Sequence, residues 1–223
     1  MKKIKTFLGI LMMLCALLVS EKIYVLITYA CAATIHEMGH IAAARTLGIK
    51  INNISFDYSG LRISIDERLT SYNAEFWLAA SGPASNLLSA SAVAVFINTS
   101  GREVLSALEA ARDFIDSGIP SIDGVCAFFI IASCVQAVIN LLPVKTFDGG
   151  RILHCVLARM FGENISDVVL SITSGIFVFL LWTVSLYLML KISSGLGVYI
   201  FSASIFSMTL INDKTFYDKV DNI

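Results

Sequence analysis

The segment His36-Glu37-Met38-Gly39-His40 places two imidazoles and a carboxylate within five residues of a chain that has 3 histidines in 223 residues. A helix turns by about 100° per residue, so His36 and His40 leave one face a turn apart, with Glu37 beside them. Two imidazoles so arranged can share a divalent metal ion, and the neighbouring carboxylate can act as a base on water held there. HExxH on a helix is the spacing that holds zinc for hydrolysis of a peptide bond. In a chain of this composition, chance would place HExxH about once in a thousand sequences. The alternative is a pair of packed, hydrogen-bonded histidines with Glu37 paired to Arg45.

Two histidines leave a catalytic zinc one protein ligand short, since such an ion usually takes three plus a water. Asp148 is the strongest third donor, within Asn140-Leu141-Leu142-Pro143-Val144-Lys145-Thr146-Phe147-Asp148-Gly149-Gly150. Pro143 is expected to end the preceding helix, and Gly149 and Gly150 to let the backbone turn sharply behind the carboxylate. The competing role for Asp148 is to cap a helix from Arg151 to Phe161. Zn²⁺ with two neutral imidazoles, Asp148 and ionised Glu37 sums to zero charge, which favours coordination near hydrocarbon. His154 reads as a substitute ligand, a proton shuttle or a surface histidine, and Cys31 as a neighbour of the site. Asn140 is either a hydrogen-bond donor to an oxyanion or a helix-packing residue.

The elements that must carry these residues are membrane helices. Hydrophobic residues make up 57% of the chain, charged residues 15%, and the mean hydropathy is +0.78, far from a soluble domain with about a quarter of its residues charged. Apolar stretches near 23–47, 74–97, 124–142, 168–190 and 194–211 are long enough to span a bilayer. A shorter one, Phe7 to Val19, follows three lysines and reads as a first span or as a signal peptide. The fold class expected is therefore an all-α polytopic membrane protein of about six spans, one domain over 1–223, with metal-site segments at about 30–47 and 140–155. If all six cross, twelve Lys and Arg fall on the side of both termini and four on the other, which predicts cytoplasmic ends. A formal net charge of −1 gives no sign of nucleic-acid binding. The five cysteines lie mostly in apolar stretches without a CxxC pair and read as small hydrophobes.

Between the second and third spans, at about 49–66, apolar and polar residues nearly alternate around Ser59-Gly60, a β-hairpin signal. This is either a plain connector or an edge to which an extended peptide adds as a strand. Residues 100–122 carry Leu105, Leu108 and Ile115 among acidic residues and predict an amphipathic surface helix. Glu75 is expected to favour a helix amino terminus and Asn86 to bond between helices.

Together these residues resemble the site-2 proteases, zinc metalloproteases that cut within or beside the membrane. His36-Glu37-Met38-Gly39-His40 matches the family's HExxH, Asn140-Leu141-Leu142-Pro143 with Asp148-Gly149 matches its NxxP...DG, and Ser81-Gly82-Pro83-Ala84-Ser85-Asn86 resembles its central Gly-Pro motif. The pieces occur in family order over about 30–155. The resemblance implies His36, His40 and Asp148 as zinc ligands, Glu37 as general base, Asn140 near the scissile carbonyl, and a membrane-associated hairpin after the HExxH helix. The layout is similar to the sporulation branch that processes sigma-factor precursors, without that branch's carboxy-terminal nucleotide-sensing domain. Thr146 stands where the family usually has proline, which predicts a less rigid loop before Asp148.

The expectation is a zinc-dependent intramembrane endopeptidase acting on a membrane-bound protein, such as a pro-sigma or anti-sigma factor, with the lipid bilayer as its setting. A metal-ion transporter would repeat its ligands along several spans, and a catalytically inactive scaffold would have no need of Glu37.

Overall fold

The computed structural model describes residues 23–49, 51–57, 60–65, 71–117 and 121–192. The chain divides into two compact units, Met1–Leu141 and Leu142–Ile223. The first unit contains α1 (Ile23–Thr46), β1 (Ile51–Asp57), β2 (Gly60–Ile65), α2 (Tyr72–Thr99), α3 (Val104–Ser117) and α4 (Ile122–Asn140). The second contains α5 (Asp148–Phe161) and α6 (Glu163–Ile192).

Each helix boundary has a local cause. Helix α1 stops at a Schellman turn: Gly48 takes φ +67°, its amide donates to Arg45 O at 3.2 Å, and Ile49 N donates to Ala44 O at 2.8 Å. Glycine is suited to that left-handed position because it lacks a Cβ. Helices α2 and α4 begin with serine caps, Ser71 Oγ accepting from Ala74 N at 3.3 Å and Ser121 Oγ from Gly124 N at 3.0 Å. Glu75 lies in the first turn of α2, where it favours the helix dipole. Helix α4 ends at Asn140, three residues before Pro143.

Helices α1, α2 and α4 pack together in the first unit, and α3 lies along α4. Ala107 and Ala111 of α3 are buried beside Ile97 and Ala127, and Phe114, at the i+7 position, is buried with its ring 5.8 Å from that of Phe128. The helix is amphipathic, as expected for 100–122; its buried face is mostly alanine, and Leu105, Leu108 and Ile115 are exposed. Small side chains let α3 approach α4 closely, and Gly124 completes the fit, since a Cβ there would sit 2.8 Å from Ala110 O. An Arg102–Asp123 ion pair of 2.8 Å joins the same two segments, although a pair this exposed contributes at most about 1 kcal/mol.

Among the described residues, three helical segments are long and apolar enough to cross a membrane: Tyr72–Thr99, Ile122–Asn140 and Glu163–Val184. They correspond to the stretches expected near 74–97, 124–142 and 168–190, the last beginning five residues earlier. Helix α1, with His36, Glu37 and His40 in its length, is not among them. The stretches expected at 7–19 and 194–211 lie outside the described residues. Strands β1 and β2 pair antiparallel, Ile54 opposite Ile63 and Phe56 opposite Leu61, with an irregularity between Ile51 and Asn53.

In the second unit, the segment before α5 is tied to α6, because Lys145 N donates to the buried Ser174 Oγ at 2.8 Å. Val144 is fully buried, and Phe147 N donates to its carbonyl at 2.9 Å. Gly162, at φ +87°, joins α5 to α6.

Candidate metal centre

His36 and His40 project from one face of α1, and both are buried, at 3% and 8% exposure. Their ring centroids are 4.9 Å apart at an interplanar angle of 83°, and the two Nε2 atoms approach to 3.3 Å. The other nitrogen of each ring is engaged by the neighbouring helices. His40 Nδ1 lies 2.8 Å from Leu78 O and 3.3 Å from Ser81 Oγ, and Ser81 Oγ donates to the same carbonyl at 2.6 Å. A carbonyl only accepts, so His40 Nδ1 carries the proton and its neutral Nε2 presents a lone pair. Metal-bound histidines are commonly held this way, with the rear N–H donated to a carbonyl or carboxylate.

His36 Nδ1 lies 3.3 Å from the Asn86 carboxamide nitrogen, which also donates to Gln136 Oε1 at 3.1 Å. Asn86 is fully buried on α2, and its Oδ1 has no hydrogen-bond partner. Asn140, the last residue of α4, brings its amide nitrogen to 3.4 Å from His36 Nε2. Glu37 follows His36 on α1 and is half-buried.

Gly82 leaves room for the two imidazoles. A Cβ built there would collide with His40 Nε2 and lie 2.7 Å from His36 Nε2. Gly39 plays the complementary part on α1, where a Cβ would sit 2.5 Å from Ser85 Oγ and 2.6 Å from Ser81 O. Ser85 Oγ in turn donates to Ile35 O at 3.0 Å, across the α1–α2 seam. The Ser81-to-Asn86 segment therefore does two things: its small residues let the helices touch, and its polar atoms hold the histidines. Two nitrogen donors facing one point, over a floor without a side chain, fit a borderline-soft divalent ion such as zinc.

In the second unit, Asp148 is the first residue of α5 and is largely buried. The N-cap position is Phe147, with no side-chain cap bond, so the capping role considered for Asp148 does not hold. Nor do Gly149 and Gly150 turn the chain: both are helical, and neither has a positive φ. Gly150 serves close approach instead, because a Cβ there would overlap the carbonyl of Val144. The Thr146 hydroxyl is buried without a partner. His154 Nε2 lies 3.4 Å from Asp167 Oδ1, pairing α5 with α6. Cys31 is exposed on α1.

The reading of the sequence placed Asn86 between helices but not its partner. The available signal was spacing: Gly82 and Asn86 are four apart, so the residue that makes room for the rings and the residue that bonds one of them share a face. Gln136 on α4 went unnoticed because a single glutamine in an apolar helix carries no pattern.

Residues 116–184 match the family model of Peptidase family M50. That stretch carries Asn140 and Asp148, whereas His36 and His40 lie before it. Among solved structures, the site-2 protease from Methanocaldococcus jannaschii matches with a TM-score of 0.56 and 17% identity, over 92% of this chain and 86% of that one. No curated protein matches the sequence. The family-model match over 116–184 and the shared fold bear out the resemblance carried by the motifs.

Proposed function

We propose that the chain, acting as one catalytic domain over 1–223, hydrolyses a peptide bond in or beside the membrane segment of a membrane-bound protein, using one zinc ion held by His36, His40 and Asp148. The observation that carries this reading is the convergence of His36 Nε2 and His40 Nε2 to 3.3 Å over Gly82. In this reading Asp148, the acidic residue of the NxxP...DG segment, would supply the carboxylate that completes an imidazole, imidazole, carboxylate donor set. Zinc bound there would polarise a peptide carbonyl and acidify water.

Glu37 accepts the proton of the attacking water as its oxygen bonds to the carbonyl carbon, and returns that proton to the amine nitrogen as the C–N bond breaks. The products are a new carboxylate end and a new amine end. Asn140 Nδ2–H offers a hydrogen bond to the carbonyl oxygen as it gains charge. A helical substrate hides its carbonyls in internal hydrogen bonds, so the cut falls where the segment unwinds. The hairpin of β1 and β2 offers an edge to such an extended strand from the membrane surface. A membrane-bound regulatory precursor, such as a pro-sigma or anti-sigma factor, is the substrate class this reading favours, with both chain ends cytoplasmic.

The test is co-expression with membrane-bound precursors, comparing the natural chain with Glu37→Gln. Loss of a general base lowers cleavage by about 10²- to 10⁴-fold, with zinc content unchanged. Undiminished cleavage by the variant would refute the role of Glu37.

A further inference from the structure

We infer that Asn86 is the positioning residue that sets the tautomer of His36, by turning its carboxamide so that Oδ1 accepts from His36 Nδ1–H. The inference rests on the metal-site reading above. A carboxamide can present NH₂ or oxygen to the same neighbour by turning over about its Cβ–Cγ bond. With NH₂ facing His36, Nδ1 is the acceptor, and the proton of the neutral ring sits on Nε2, which requires the Asn140 carboxamide, its nitrogen 3.4 Å away, to turn its oxygen toward that proton. That proton points at the lone pair of His40 Nε2, 3.3 Å away, so the two rings close on each other. Asn86 Oδ1 is then the buried atom without a partner.

A metal ion cannot enter a site whose nitrogen already holds a proton. His40 is fixed in the correct form by the Leu78 carbonyl, so the ion requires only that the His36 proton move from Nε2 to Nδ1. Nδ1 then needs an acceptor, and the group 3.3 Å from it is the Asn86 carboxamide. Turned over, that carboxamide offers Oδ1 to His36, and its NH₂ takes the place that Oδ1 held. Gln136, 3.1 Å beyond, turns with it and donates its own amide N–H to the same oxygen. Two lone pairs then face one point, an arrangement that repels unless a cation lies between them. The amide pair thus has one orientation suited to the closed ring pair and one suited to the metal, and Asn86 links α1 to α4 in both.

The test uses the full chain purified in detergent, with zinc affinity measured by chelator competition and histidine ring nitrogens read by ¹⁵N NMR. Asn86→Leu removes the acceptor and is expected to weaken zinc by about 10- to 100-fold, the usual effect of losing the group behind a metal-bound histidine. Asn86→Asp, which can only accept when ionised, keeps zinc close to the wild-type affinity, and loaded wild type shows His36 protonated at Nδ1. A Leu variant that binds zinc as tightly as wild type overturns the inference, as does an Asp variant as weak as the Leu variant. If the Leu variant does not fold, the Asp variant and the wild-type ring signals decide: zinc on His36 Nδ1 refutes it. A wild-type protein that takes up no zinc overturns the metal-site reading itself, and the inference with it.

Discussion

At the scale of single residues, Gly82 separates stability from activity most cleanly. Alanine is a better helix former than glycine by about 0.5–1 kcal/mol, so Gly82→Ala is not expected to unfold α2. Its methyl group, however, occupies the space into which both Nε2 atoms point. A ligand displaced by about 1 Å costs on the order of a hundredfold in rate. The expected outcome is a thermal midpoint near or above wild type with zinc content and cleavage both lost; a fully active alanine variant would mean that the rings do not work from this position. Residue types and spacing made His36, Glu37 and His40 legible from the sequence, because three ionisable groups in an apolar stretch have few structural uses. Asn86 and Gly82 were visible only as parts of a motif, since what each does depends on a ring from another helix.

At the scale of elements, the sequence announced the apolar helices and misread what joins them. Length and hydropathy placed the helices of 72–99, 122–140 and 163–184 to within a few residues at most ends. The amphipathic character of α3 was legible, but not that alanines form much of its buried face, because the small residues that suit a close helix contact carry little hydrophobic signal. The Asp148 loop was expected to turn on its glycines, and instead it is fixed through Lys145 N to Ser174 Oγ, a long-range bond that no local pattern reveals. Ser174→Ala removes that acceptor at a buried site and is expected to cost about 1–3 kcal/mol. Ser171→Ala is the control on the same helix, because its hydroxyl donates only to its own helix, at Asp167 O, 2.7 Å away. Thermal or denaturant unfolding of the two variants checks the difference. Equal losses would show that the Ser174 bond does not anchor the loop.

At the scale of the whole molecule, a metal bound at the proposed site would tie the fold to the chemistry. An ion bound only by the folded chain stabilises it by about 2.7 kcal/mol when present at a hundred times its dissociation constant. Stripping zinc with a membrane-permeant chelator is therefore expected to lower the melting temperature and stop cleavage together, with both returning on zinc addition. Glu37→Gln should show the same stabilisation by zinc with no cleavage, which separates binding from chemistry in one titration. A melting curve indifferent to zinc would count against a resident ion.

The two histidines are held from behind by different kinds of group, and a mutational screen would see the difference. Leu78 steadies His40 through its main-chain carbonyl, and every amino acid placed there brings the same oxygen. His36 relies on the side chain of Asn86, which a single codon change can delete. Loss-of-function alleles should accumulate at 86 and spare 78 for any residue that packs, so one histidine is genetically fragile while its twin is insured by the peptide bond.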